Sequence, residues 1–333
     1  IYDPNPAPFD ATHQLPYRNV SDALTFLDGV GDRPFFLWLS FAEPHNPYQV
    51  PAPYYDMFPP EALPPAHVGV ENLAGKPYAY EHTRAMWEKL MGDRLDSSVE
   101  RSRSNYMGML RLMDDQIARL DAGLQARGLG ENTHLIFLSD HGDFVGEYGM
   151  MRKGPQLAEP LCRIPLVWRG PGIARKQGAS HAFVNIVDIL PTLCDLASLP
   201  CPKGVEGRSL SPVLRGESEQ VAEDSYSEIG FGGLFWGPQD DGLTPEAEGA
   251  LRTEGMPLVG FDCLNTWTQC GFSRSLWWEN WKLVLDMNGS IQLYDIQADP
   301  FETNNLAGDA AHAAVRSGLL RRLIMRMQSI QRD

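Results

Sequence analysis

Five consecutive residues, Ser139-Asp140-His141-Gly142-Asp143, follow directly on an apolar run and carry the chain's most concentrated chemistry. Asp140 brings a hard anionic oxygen, and His141 an imidazole nitrogen that can ligate a metal or move a proton. Neighbouring side chains on a regular strand point to opposite faces, so both reach one ion only where the strand turns. Gly142 permits such a turn. The same five residues also suit an Asx-type turn with a surface histidine.

Twelve residues past His141 stands Lys153, with Arg152 beside it, in Gly149-Met150-Met151-Arg152-Lys153-Gly154-Pro155. That loop is expected to return over the strand end. Upstream, Glu43-Pro44-His45-Asn46-Pro47 places His45 after another apolar run. Singly, His45 reads as a loop-packing histidine and Lys153 as a solvated lysine. Converging beside an Asp/His metal pair, they would form an anion pocket over a cation. An ester of sulfate or phosphate needs that pocket: a metal to polarise oxygen, cations for spread negative charge, an acid for the leaving group.

Positioning falls to three apolar runs and a helix. Phe35 to Phe41, His134 to Ser139 and Ile164 to Trp168 each predict a buried strand. The stretch from Pro44 to Pro65 must be loop, because proline blocks ladder and helix alike. Ser104 predicts a helix start, with Met107, Leu110, Met113, Ile117, Leu120 and Leu124 at helical spacing and Gly128 and Gly130 ending it. The pattern predicts an α/β layered core with a largely parallel sheet. Beyond Gly216 the texture changes. Tyr226 to Thr268 reads as long surface loops; Ser273–Trp278, Trp281–Met287 and Ile291–Ile296 as short strands, with an Asn288-Gly289 hairpin turn between the last two. A terminal amphipathic helix carries Val315, Leu319, Leu320, Leu323, Ile324 and Met327. The expected division is residues 1–215, the catalytic part, and 216–333, a small α+β subdomain.

The 333 residues are 43% hydrophobic and 21% charged, enough to bury a sizeable core. A net charge of −15, without a basic stripe, argues against nucleic acid as a partner. No apolar stretch approaches the ~20 residues that cross a bilayer. Residue one is isoleucine with no leader pattern after it, which suggests a processed or truncated chain and leaves the compartment open. Cys162, Cys194, Cys201, Cys263 and Cys270 have no C-x-x-C spacing and read as idle thiols.

Several strings, in order, resemble the type I sulfatase family of the alkaline-phosphatase superfamily. Pro44-His45-Asn46-Pro47 is similar to the family's P-H-x-P motif, and Met113-Asp114-Asp115 with Leu138-Ser139-Asp140-His141-Gly142 to its helix–strand–metal-loop signature. Arg163-Ile164-Pro165-Leu166 with Gly170-Pro171-Gly172, and Asp188-Ile189-Leu190-Pro191-Thr192 with Gly207-Arg208-Ser209-Leu210, resemble two further blocks. Trp281-Lys282-Leu283, Tyr294-Asp295 and Asp299-Pro300-Phe301-Glu302-Thr303-Asn304-Asn305-Leu306 resemble its carboxy-terminal tail.

The resemblance implies hydrolysis of a sulfate ester, from a sulfated small molecule or sulfated sugar. It implies Asp140 and His141 as ligands of a divalent metal, usually Ca2+; the imidazole keeps Mn2+ or Zn2+ open. It also implies His45 and Lys153 as catalytic contacts to the sulfate, with Arg152 beside them as a substrate-binding residue. The family's nucleophile is a formylglycine made within C/S-x-P/A-x-R. None of the five cysteines lies within that motif, and Ser211-Pro212-Val213-Leu214-Arg215 has valine where proline or alanine belongs. The nucleophile is therefore expected in an amino-terminal segment that this sequence lacks. Phosphonate or phosphate ester hydrolysis, and a non-catalytic fragment, are the alternatives. Gln49–Trp87 and Glu228–Phe272 are expected to choose the substrate, with Tyr54, Tyr55, His82, Arg84, Phe231, Phe235, Trp236 and Trp267 exposed for it.

Overall fold

The computed structural model describes residues 2–174, 178–232, 237–238 and 271–330. Its spine is helix α3, Leu95–Ala126, about 48 Å long at 1.5 Å per residue. Helix α1, Leu15–Asp28, packs along its carboxy-terminal half through Val20, Ala23 and Leu27 against Leu120 and Leu124. Helix α2, Tyr78–Met91, buries Tyr80 and Trp87 in a larger cluster with Leu112, Phe144, Tyr148 and Leu161.

Helix α3 starts nine residues before Ser104, which is buried inside it and donates to the Phe58 carbonyl rather than capping. The extra turns escape the apolar pattern because Ser98 and Ser102 occupy inward positions there. The same face holds the proline-rich loop. Asn105 donates to the carbonyls of Asp3 and Tyr48, and a Cβ at Gly108 would come within 2.6 Å of the Tyr54 carbonyl oxygen. Gly128, with φ +69°, ends the helix as expected.

Strands β1, Leu135–Leu138, and β2, Leu166–Arg169, pair antiparallel with Leu138 opposite Leu166. The layered α/β class holds, but among the described residues the strand pairs are antiparallel, apart from one isolated parallel bridge between Tyr2 and Tyr48. The run from Phe35 to Phe41 forms no ladder among those residues. Phe35, Leu37, Leu39 and Phe41 pack on the α1–α3 cluster while Phe36 and Trp38 stay 71% and 69% exposed. Strand β2 is likewise only half-buried, since Val167 is exposed. A continuous apolar run predicts burial on both faces; here only one face is covered.

Helices α4, Glu159–Cys162, α5, Ile189–Leu196, and α6, Ser211–Leu214, complete this part. An antiparallel meander follows: β3, Asp224–Gly232, β4, Gly271–Trp278, β5, Trp281–Asp286, and β6, Ile291–Asp295. Asn288-Gly289 makes the expected β5–β6 turn, with Gly289 at φ +86°. Helix α7, Ala313–Ile330, covers the sheet by packing Leu319 and Leu323 on Leu276, Leu283 and Leu293. Strand β3 occupies what read as the start of a surface loop. Of the rest of that expected loop, 233–236 and 239–268 lie outside the described residues.

Candidate active site

Strand β1 delivers the chain into a turn that exposes Asp140 and half-exposes His141. The His141 Nδ1 lies 2.7 Å from the Gly142 carbonyl oxygen. A carbonyl can only accept, so Nδ1 carries the hydrogen and Nε2 presents its lone pair. That Nε2 sits 3.6 Å from Asp140 Oδ2, on the same side of the turn. Gly142 itself is not in the left-handed region; it is required by proximity. A Cβ there would fall 1.9 Å from the Pro160 carbonyl oxygen, while its N–H donates to the Leu161 carbonyl at 2.9 Å.

Asp143 closes the loop. Its carboxylate accepts from the Tyr48 hydroxyl at 2.8 Å, the Val145 N–H at 3.0 Å and the Arg152 N–H at 2.8 Å. Burial raises its pKa, although those hydrogen bonds and nearby Lys153 pull the other way. Burial and the Asp143 charge push the Tyr48 hydroxyl well above its ordinary range. The Phe144 N–H donating to Arg152 O and the Gly146 N–H donating to Met150 O make a tight excursion. Asp143 stands two residues from His141 and binds the amide next to Lys153, so it ties one end of the site to the other. The motif and spacing considerations above assign it no role. Its only local signal is a second carboxylate directly after Gly142.

The loop returns as expected. Lys153 Nζ lies 3.1 Å from His45 Nε2, and His45 Nδ1 lies 2.8 Å from the Asn46 carbonyl oxygen. His45 thus has the same tautomer as His141, with Nε2 turned towards the site. Arg152 also reaches back to the His45 loop. At φ +66° it sends Nε to Asn46 Oδ1 at 2.7 Å, so it braces the Pro44–Pro47 turn.

The donor set fits part of a divalent cation's shell. An imidazole lone pair and a carboxylate oxygen 3.6 Å apart can share an ion at about 2.4 Å from an oxygen ligand. His141 has its other ring nitrogen fixed by a carbonyl, as ligating histidines do. Among the described residues no group of three or more His, Cys, Asp or Glu side chains could hold a metal, so Asp140 and His141 would share the ion with ligands from elsewhere.

Other expectations fare differently. Ser211, at the nucleophile-like spacing, is buried and bonded to Ser209. Cys162, Cys194 and Cys201 are free thiols; Cys263 and Cys270 lie outside the described residues. Of the candidate substrate residues in the first stretch, Tyr54 and Tyr55 are half-buried. Tyr54 donates to Asp115, Tyr55 to the Pro4 carbonyl, and His82 is buried on α2. Arg84 reaches Glu88 and the Gly149 carbonyl. Phe235, Trp236, Trp267 and the Phe231 side chain lie outside the described part. No helix among the described residues is long and apolar enough to cross a membrane.

Comparison with known proteins reaches the same place. A multifunctional alkaline phosphatase superfamily protein of Trinickia caryophylli is 31% identical over 308 residues, 88% of this chain and 55% of that one. An arylsulfatase of Clostridium perfringens is 32% identical over 203 residues, 60% of this chain and 41% of that one. The solved phosphonate monoester hydrolase of Silicibacter pomeroyi superposes with a TM-score of 0.79 at 23% identity, covering 98% of this chain and 62% of that chain. This chain spans about half the length of the curated relatives it matches. With residues 8–199 matching the sulfatase family's sequence pattern, and the loops around Asp140 and His45 inside that match, the chain belongs to the sulfatase family.

Proposed function

We propose that this chain supplies part of the metal and sulfate site of a sulfate ester hydrolase. The observation that carries the reading is the Lys153–His45 pair, tied through Asp143 to the Asp140–His141 turn. Asp140 and His141 would hold a divalent cation, Ca2+ foremost, with Mn2+ or Zn2+ admitted by the imidazole. That cation would polarise an ester oxygen, and a formylglycine from a segment outside this sequence would supply the nucleophile. Lys153 holds the negative charge spread over the sulfuryl oxygens. His45, with Nε2 facing Lys153, contacts the sulfate beside the leaving oxygen. The substrate class is a sulfated small molecule or sulfated sugar. Residues 1–215 carry His45, Asp140, His141 and Lys153, and 216–333 form the smaller unit that braces them.

Two proteins test this: the 333-residue chain, and the same chain joined to its upstream coding sequence. The chain alone should give negligible turnover of an aryl sulfate. The joined protein should carry C-x-P/A-x-R, turn the ester over, and lose its metal by elemental analysis in Asp140→Ala. A bare Thr or Ser nucleophile, with phosphate or phosphonate esters preferred over the sulfate, would favour the runner-up hydrolase instead.

A further inference from the structure

Among the carboxy-terminal motifs, Lys282 of Trp281-Lys282-Leu283 and Glu302 of Asp299-Pro300-Phe301-Glu302 meet in the interior of the protein. Lys282 is 2% exposed, and its Nζ lies 2.7 Å from Glu159 Oε1 and 2.8 Å from Glu302 Oε1. Both carboxylates are buried as well. Glu302 Oε2 also accepts the backbone N–H of Glu159 at 3.0 Å. Strand β5 and the post-β6 turn therefore grip the first residue of helix α4 by side chain and by main chain.

Helix α4 is a single turn that contacts the metal loop directly. Its Leu161 carbonyl accepts the Gly142 N–H, and its Pro160 carbonyl lies against Gly142, where no Cβ would fit. His141 and Asp140 are the two residues before Gly142. Glu302 has φ +56°, a backbone region that favours glycine. A glycine would relieve that conformation and lose the contacts to the Glu159 N–H and to Lys282 Nζ, so the side chain explains why the strain is kept. Lys76 adds a second buried ammonium, donating to the Tyr294 hydroxyl and lying over the Tyr80, Tyr148 and Tyr294 rings.

We propose that the buried Glu159–Lys282–Glu302 triad is the positioning element of the metal loop, fixing helix α4 and through it Gly142 and the Asp140–His141 turn. The proposal rests on the reading of that turn as the metal site. It gives the carboxy-terminal sheet a part in positioning the metal turn. A buried triad is a poor source of stability, since well-packed apolar side chains can replace one without loss. What apolar groups cannot reproduce is the directed grip on the Glu159 carboxylate and N–H.

The test separates position from stability on the 333-residue chain itself. The variant Lys282→Met/Glu159→Leu/Glu302→Leu is compared with the parent by urea unfolding and by amide hydrogen exchange. It is also compared by Mn2+ titration, followed as paramagnetic broadening of the His141 and Gly142 resonances. The expected result is a urea midpoint near the parent's, Gly142 exchange at least tenfold faster while α3 amides are unchanged, and Mn2+ affinity reduced about tenfold, the scale of lost outer-shell support. Unchanged Gly142 protection in the folded variant would overturn the proposal. If the triple variant does not fold, Glu302→Gln, which keeps shape and one acceptor, takes its place: faster Gly142 exchange supports the proposal and unchanged protection overturns it. Faster Gly142 exchange in a protein whose parent shows no Mn2+ broadening at His141 would uphold the positioning and sink the metal reading instead.

Discussion

Lys153 and His45 lie 108 residues apart in sequence and 3.1 Å apart in space, Nζ to Nε2. The pairing forces two loops to share a face. The Asn46 carbonyl sets the His45 tautomer, because it can accept only from an Nδ1 that bears hydrogen. In a protein that includes the nucleophile segment, Lys153→Ala should lower kcat for an aryl sulfate by about 10²–10³, the scale for one lost electrostatic contact. Metal content should match the parent's by elemental analysis. Parent-like kcat would remove Lys153 from the reaction.

Asp143→Ala should act on the whole site while touching neither ester nor metal. It strands the Tyr48 hydroxyl hydrogen and the Val145 N–H, and leaves the Arg152 N–H only the Tyr48 oxygen at 3.2 Å. Buried donors left unmet cost roughly 1–3 kcal/mol each, less where water enters. A loss of about 2–4 kcal/mol in urea unfolding is expected on that scale, together with loss of the Lys153–His45 hydrogen bond by histidine nitrogen chemical shift. Stability within about 0.5 kcal/mol of the parent would show that the clamp is idle.

Buried Lys76 gives a pH signature. Burial lowers its pKa from 10.5 to about 8, against the partial support of Glu302. The unfolded chain therefore holds this proton more tightly than the folded one, so the folded state carries the full penalty below pH 8 and sheds it as pH rises towards 10.5. Cys162, pushed up to about 11 by burial, acts oppositely above pH 9. Comparison with Lys76→Met cancels that background. From about pH 7 to about pH 9.5 the parent should gain roughly 2 kcal/mol on the variant in urea unfolding. A constant difference would place Lys76 in contact with water.

The sequence made the motif residues legible and their supports hard to see. Asp140, His141, Lys153 and His45 stand out because polar chemistry follows apolar runs at short spacing, and the chain does bring Lys153 to His45. The hairpin at Asn288-Gly289 and helix α7 are readable for the same local reasons. Ser104 misleads, because inward-facing serines carry α3 back to Leu95 without an apolar period. Phe35 to Phe41 misleads in the other sense: a run apolar at every position but Ser40 does not say how many of its faces are covered. Arg152, Asp143 and Glu302 act through partners between 9 and 143 residues away, and no local pattern encodes such pairings.

Gly142→Ala is the sharpest test of how the metal turn is held. The usual argument for glycine, freedom at positive φ, does not apply here, so alanine meets no backbone penalty of its own. The obstacle is a carbonyl: the new methyl would sit 1.9 Å from Pro160 O, and main-chain atoms of helix α4 cannot swing aside as a side chain would. Either the 139–143 turn or α4 must move, and the Gly142–Leu161 hydrogen bond between them is the first contact to go. Overpacking of this kind costs about 1–3 kcal/mol. Chemical-shift changes should cluster at His141, Gly142 and residues 159–162, with the β5–β6 hairpin tip silent. A variant as stable as the parent, with shifts confined to residue 142 itself, would mean that the turn and α4 are not in register and that the support described for Asp140 and His141 is absent.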